Sequence, residues 1–335
     1  MLYRRTLAVA TAFVVATAFG AATATGASAS ASARIYIPWT EQTVFALSPN
    51  DSYVAEWLGL SKGWIEIGGP AKKIYAGSAG VFELDASGNI WMYNGTPFSW
   101  TEIGGPGAEF AEGGGHLYGL APDDSYVAEW NGPGQGGWTV IGGTAQDIYA
   151  GPGGLVATAP GAYDVSGDIW RYNGTPNSWT DIGGGAYTLW VDSASVAVGV
   201  NAVYRTDPPN AAGVTVVDEW TGGTTWTPIL TTGSGDDVLD LLAGYDGLYL
   251  YDVTATTDYF LKYNGTPNSW SPISEGYDQT SNGPIPSAES RTSLYGYAVN
   301  TATGVGASSV EIYSGSGTSW TVIGGPADVP LAAGD

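Results

Sequence analysis

The chain has 335 residues with 14 Trp, 21 Tyr, 51 Gly, no Cys and a formal net charge of −22. A surface that acidic repels phosphate backbones and anionic headgroups, which excludes nucleic-acid partners, and without cysteine neither disulfides nor thiol chemistry contributes. The length suits one large all-β ring or two ordinary domains, and cohesion must come from packed aromatics.

Residues 1–33 read as a secretory signal peptide. Arg4 and Arg5 give a positive start, Leu7 to Ala22 is an apolar run, and small-x-small sites follow at Ala27-Ser-Ala29, Ala29-Ser-Ala31 and Ala31-Ser-Ala33. The run is short for a membrane span and no other stretch is apolar enough, so the expectation is a secreted, extracellular protein without a membrane span. The paired arginines lack the rest of a twin-arginine pattern, which favours the general secretory route. Cleavage removes two positive charges and no acid, leaving residues 34–335 with a net charge of about −24.

One motif then recurs. Trp64-Ile-Glu-Ile67-Gly-Gly, Trp100-Thr-Glu-Ile103-Gly-Gly, Trp138-Thr-Val-Ile141-Gly-Gly, Trp179-Thr-Asp-Ile182-Gly-Gly and Trp320-Thr-Val-Ile323-Gly-Gly are near copies. Trp226-Thr-Pro-Ile229 and Trp270-Ser-Pro-Ile273 keep the Trp and Ile without the glycines. The seven copies lie 36 to 50 residues apart, a period that signals a solenoid, array or propeller. Between copies, each unit carries four strand-like pieces separated by Gly, Pro, Asn and Asp. In the second unit these are Lys73 to Ala76, Val81 to Leu84, Asn89 to Tyr93 and Ser99 to Ile103. No amphipathic helix is expected after residue 33. Units one, three and five carry Glu-Trp in the third piece; units two, four and six carry Tyr-Asn-Gly-Thr-Pro-x-Ser-Trp, an alternation suggesting duplication of a two-unit block. Unit seven is degenerate, with a polar insertion expected around Glu275 to Ser287.

Seven four-stranded units that cannot bury both faces alone predict a seven-bladed β-propeller over residues 34–335. The segment from Gly325 to Gly334 matches Gly69 to Gly77, a first-strand stretch, so residues 328–335 are expected to supply the innermost strand of blade one and close the ring. Ile35-Tyr-Ile37 is the competing latch. The Trp of the seven fourth strands, present in every unit, are read as packing between neighbouring blades.

Ligand contacts are expected where units differ, mostly in loops. The face holding the loops between second and third strands collects Asp51, Asp85 with Asn89, Asp123 with Asp124, and Asp164 with Asp168, forming an acidic crown. On the third strand, Trp91 has a counterpart only in Trp170; the other units place Ala55, Ala128, Asp218, Leu261 or Glu311 there. Aromatic faces beside Asp and Asn hold sugars, the ring stacking on C–H groups while amides and carboxylates take hydroxyls. Trp91, Trp170, Asp85, Asn89, Asp164, Asp168, Asp51, Asp123 and Asp124 are therefore the candidate carbohydrate-binding residues, the bland alternative being that the two Trp fill local gaps. No catalytic residue, metal ligand or cofactor is assigned. His116, the single histidine, reads as a solvated turn residue. Glu56, Glu129 and Glu219 recur in alternate units, and Glu109, Glu112, Asp147, Asp192 and Asp240 lie near inner strands; abundance alone does not make paired catalytic carboxylates. The loops ending at Asp51 and Asp124 lack calcium-loop spacing and read as turns. Asn94-Gly-Thr96 and its copies at Asn173 and Asn264 match glycan acceptor sites, but their place in the repeat reads as turn chemistry.

The combination Trp-x-x-Ile-Gly-Gly, Ile-Tyr-Ala-Gly and Gly-x-Ile-Trp-x-Tyr-Asn-Gly resembles the tectonin and tachylectin repeats of β-propeller lectins, across residues 44–334 and most clearly 64–183. That resemblance implies a secreted or surface-active glycan-binding module with several sites at blade junctions. The expectation is a non-enzymatic protein whose partners are glycans or polysaccharide; an extracellular protein partner is the alternative, and a glycan-cleaving enzyme the third reading.

Overall fold

A computed structural model describes residues 43–161, 165–187, 195–207, 209–254, 258–274, 285–299 and 307–334. The expected signal peptide, the alternative latch at Ile35-Tyr-Ile37, and the candidates Asp164 and Asp192 lie outside these residues.

The described chain forms seven four-stranded antiparallel sheets arranged as the blades of a propeller. Blade 2 shows the plan: Lys73–Gly77 innermost, then Gly80–Leu84, Ile90–Tyr93 and Trp100–Gly104 outermost. Turn residues set the breaks and alternating apolar residues fill the gaps between blades. Ile74, Val81 and Tyr93 face blade 1 and join Phe45, Val54 and Ile67 in one buried cluster. Blade 1 takes its inner strand from the end of the chain: Asp328–Gly334 pairs with Thr43–Leu47, Val44 lying opposite Ala333 and Phe45 opposite Ala332. The ring is closed by the C-terminal strand, as its likeness to Lys73–Gly77 predicts. One expectation fails in blade 7: Ile285–Glu289 is its inner strand, so the insertion expected to reach Ser287 gives way to strand by Ile285. Ile285, Ser287 and Glu289 alternate with the buried Pro286 and Ala288, a two-residue period hidden by the polar composition.

The repeated motif is a joint between blades. In every blade the register between third and fourth strands slips by one residue, a β-bulge. In blade 2, Ile90 pairs with Gly104 and Trp91 with Glu102, leaving Ile103 unpaired. The carbonyl of that Ile accepts the indole N–H of the next blade's Trp: Trp138 Nε1 lies 2.8 Å from Ile103 O. The same bond runs from Trp100 to Ile67 (2.9 Å), Trp179 to Ile141 (2.7 Å), Trp226 to Ile182 (2.8 Å), Trp270 to Ile229 (3.2 Å) and Trp320 to Ile273 (2.7 Å). Trp64 to Ile323 (2.8 Å) closes the circle. The glycine after the Ile makes room for the ring. A methyl on Gly104 would lie 2.8 Å from Trp138 Nε1, and one on Gly142 2.9 Å from Trp179 Nε1. Gly105 and Gly143 have nothing within 4 Å.

The Glu-Trp and Tyr alternation also has a packing reason. Glu56, 5% exposed, acts on Tyr93 of the next blade, whose hydroxyl is pushed up to about 12 by burial and then by that carboxylate. Glu129 and Tyr172 repeat the pair, with Tyr172 Oη 3.4 Å from Glu129 Oε2, and Glu219 acts on Tyr263. Blades 1, 3 and 5 supply the acid and blades 2, 4 and 6 the phenol.

Candidate functional site

The acids of the inner strands tie blades together. Glu112 accepts the amide of Ala79 in the preceding blade (2.8 Å), and Glu289 accepts that of Asp246. Both carboxylates occupy space that a side chain on Gly77 or Gly244 would fill. They border an axial cavity of about 120 Å3 on the face of the first-to-second-strand turns. Glu109 spans to blade 4 at the opposite end, Oε2 accepting from Ile148 N at 2.8 Å. Burial is the main cause that raises Glu109 and Glu289 to about 7. His116 is a correction to the reading of a solvated turn: it opens the strand His116–Leu120, and its Nδ1 pairs with Glu129 Oε1 on the neighbouring strand. That partner is thirteen residues away in sequence and adjacent only through strand pairing.

The expected crown residues divide. Asp51 and Asp124 adopt left-handed backbone (φ 56° and 59°) and close their loops through N–H bonds to Ser48 O and Ala121 O, both 2.9 Å. Their carbonyls accept from Ala71 and Ala145 (3.2 Å each), joining each loop to the start of the next blade. Asp123 accepts the amide and hydroxyl of Ser125, which holds its carboxyl below the usual range. Asp123 thus serves its own loop, while Asp51 and Asp124 also tie their loops to the next blade, and Asp51 Oδ1 is buried without a hydrogen-bond partner. The Asn94 amide is likewise spent within its turn, on Ser99 Oγ (3.1 Å) and Thr101 Oγ1 (3.0 Å).

Blade 2 does bring three of the candidates together. Asp85 Oδ2 accepts from Asn89 Nδ2 (2.9 Å) and Trp91 Nε1 (3.2 Å), while Oδ1 accepts the amides of Ser87 (2.8 Å) and Asn89 (2.9 Å). Partial desolvation opposes ionisation of Asp85, but those donors outweigh it and hold its carboxyl below the usual range. Trp91 is half-buried on the blade face turned toward blade 1, and the adjacent bulge sets its aim. In blade 4 the equivalent Trp170 is 38% exposed and Asp168 is exposed.

Glu83 was not singled out by the sequence, yet it completes the blade 2 group. It pairs with Trp91 across adjacent strands, placing both side chains on the same blade face. Glu83 is 8% exposed, its Oε2 is buried without a hydrogen-bond partner, and a methyl on Gly68 of blade 1 would lie 3.2 Å from that oxygen. Burial, then the charge of Asp85, pushes Glu83 up to about 7. The signal was present in the units themselves: at this second-strand position the other blades place Ala, Gly or Leu, except for Arg205 in blade 5.

The molecule is thus a seven-bladed β-propeller bearing an aromatic and carboxylate cluster at the junction of blades 1 and 2. No protein-family model matches the chain, and no curated protein matches it. Solved structures are similar in fold. A functionally unknown protein from Desulfotomaculum acetoxidans DSM 771 aligns with a TM-score of 0.52 at 12% identity, over 88% of this chain and 99% of that one. AztD from Citrobacter koseri gives 0.46 at 11% identity, over 87% and 97%. A variant of the Aleuria aurantia lectin in complex with Fucalpha1-6GlcNAc gives 0.44 at 12%, over 86% and 93%. Among the described residues no helix is long and apolar enough to cross a membrane.

Proposed function

We propose that this propeller is an exported, non-enzymatic carbohydrate-binding protein with weak sites at its blade junctions. The observation that carries the reading is the Trp91 group: an indole whose edge is held by Asp85, beside the Asn89 amide, at a position where five of seven blades have no aromatic. The joint between blades already has its own Trp in Trp100, so the fold does not need Trp91 as well. An indole face bordered by a carboxylate and an amide matches a sugar ring, which offers C–H groups on one side and hydroxyls at its rim. Trp170 offers a second, more open platform, and two weak sites on one rigid ring gain avidity on a polysaccharide. Export is proposed on residues 1–33 alone.

The test is a glycan array, followed by calorimetry on residues 34–335 and on the Trp91→Ala and Trp170→Ala variants. The expected result is glycan binding that weakens at least about tenfold in each variant while the melting temperature stays within a few degrees. Full binding retained in the double variant would refute the assignment.

A further inference from the structure

Two blades carry a charge at the second-strand position that faces the preceding blade, and comparing them reveals what the blade 2 cluster lacks. In blade 5 the charge is Arg205. Its Nη2 lies 3.0 Å from Asp218 Oδ2 and 3.0 Å from Asp207 Oδ1. Its Nη1 donates to Gly185 O at 2.9 Å, and the guanidinium carbon sits 4.6 Å from the centre of the Trp226 ring. A cation in this kind of junction is therefore satisfied by carboxylates, an indole face and a carbonyl from the blade before.

Blade 2 has the carboxylates and the indoles without the cation. Glu83 takes the place of Arg205, Trp100 that of Trp226, and Gly68 of blade 1 lies opposite. Glu83 Oε2 is buried with no donor to receive, a costly state for a carboxylate. The charged group acting on it is Asp85, of the same sign. Among the described residues no group of three or more His, Cys, Asp or Glu is placed to hold a metal ion. Two carboxylates beside Trp91 suit a compact monovalent cation better than a divalent ion requiring six or more oxygens.

We propose that the junction of blades 1 and 2 takes the ammonium group of an amino sugar, so that its ligand is a glycan carrying free amines. The inference rests on the carbohydrate reading above and adds the selecting charge: Glu83 receives the ammonium, Asp85, its own oxygens already bonded, adds negative charge beside it, and Trp91 lies against the ring. N-acetylation removes the cation and adds bulk at the same atom, so the acetylated sugar loses both the charge and the fit.

Calorimetry with a glucosamine oligomer and its fully N-acetylated counterpart tests this at pH 7, where the amines still carry protons and the cation itself favours the ionised form of Glu83. Wild type, Glu83→Gln, Trp91→Ala and Glu289→Gln are compared, with folding checked by circular dichroism and melting temperature. The free-amine oligomer should bind wild type about tenfold tighter than the acetylated one. Glu83→Gln should erase that preference and Trp91→Ala should weaken both oligomers. Glu289→Gln, which removes a carboxylate on the far face, should keep the preference. Equal binding of the two oligomers to wild type overturns this inference and leaves the carbohydrate reading standing. Equal loss in Glu83→Gln and Glu289→Gln also overturns it, because bulk charge then explains the preference. Binding of neither oligomer, with an empty glycan array, sinks both.

Discussion

If each repeated Trp seats on a bulged Ile carbonyl through the space left by the following glycine, then the two glycines of the motif must respond differently to the same substitution. Gly104→Ala places a methyl 2.8 Å from Trp138 Nε1 and 3.1 Å from Ile90 Cγ2, where the backbone on both sides is fixed by the sheet. The indole has to retreat by several tenths of an ångström, stretching its 2.8 Å bond to Ile103 O and loosening its contact with Phe110. Overpacking of this kind costs about 1–3 kcal/mol, and weakening the hydrogen bond adds up to about 1 kcal/mol. The stiffer unfolded chain of the alanine variant offsets roughly 0.4–1 kcal/mol, leaving a net loss of about 1–3 kcal/mol. Gly105→Ala meets nothing within 4 Å, so its only effect is the favourable one on the unfolded state. Trp138→Ala removes the ring itself and should cost about 3–5 kcal/mol.

The expected order of stability is therefore Gly105→Ala at or above wild type, then Gly104→Ala, then Trp138→Ala. Urea unfolding followed by far-ultraviolet circular dichroism reads it without relying on the altered fluorescence. The decisive variant is the double one. Once Trp138 is gone the methyl at residue 104 has nothing to strike, so Gly104→Ala with Trp138→Ala should cost less than the two singles together by about 1 kcal/mol or more. A Gly104→Ala protein as stable as wild type, or strictly additive singles, would refute the joint.

Two further outcomes follow from the same framework. Deleting residues 328–335 removes Leu331, Ala332 and Ala333, which are 4–7% exposed, and uncovers Val44 and Phe45, both 0% exposed. That loss amounts to about 5 kcal/mol or more and should lower the melting temperature by at least about 10 °C; an unchanged melting temperature would mean that another segment completes blade 1. Stability should also depend on pH between about 5 and 7.5. Glu83, Glu109 and Glu289 are each raised from 4.5 to about 7, mainly by burial, so the folded state binds their protons more tightly than the unfolded state does. Their contribution is complete below pH 4.5 and is lost as pH rises through 7, on the order of 3 kcal/mol for each group. Denaturant midpoints should fall across that window, and Glu289→Gln should flatten the fall; a rise in stability from pH 5 to 7.5 would contradict the assignment.

The difference between what was legible in the sequence and what was not follows a physical line. Repetition exposes every residue whose role depends on its own unit or on an identical neighbour, and so the blades, the inter-blade Trp and the closing strand could all be read. Even there the glycines kept their reason hidden, because the indole that needs the bare Cα of Gly104 belongs to a residue 34 positions on, Trp138. What repetition does not expose is a contact made once, between unlike residues from different strands. The His116 pair with Glu129 is of this kind, as is Arg205 with Asp218, and neither partner is near the other in sequence.

Glu83 lies between these cases, a buried acid on a strand that the acidic crown of the loops did not include. Counting carboxylates on loops gathered Asp123, whose carboxylate is committed to its own turn, together with Asp51 and Asp124, whose backbones close turns, Asp51 Oδ1 being buried without a hydrogen-bond partner. A residue that can still act on a ligand is one whose bonding is unfinished, and Glu83 Oε2 on a strand and Asp51 Oδ1 on a loop both meet that condition. The same ring of junctions holds a cation of its own at Arg205 and an unpaired acid at Glu83, within a frame that treats both positions alike. Since packing does not require a charge at either site, the difference between blades 2 and 5 is where selection for a ligand can enter, and a strand facing its neighbour holds that charge more rigidly than any loop of the crown would.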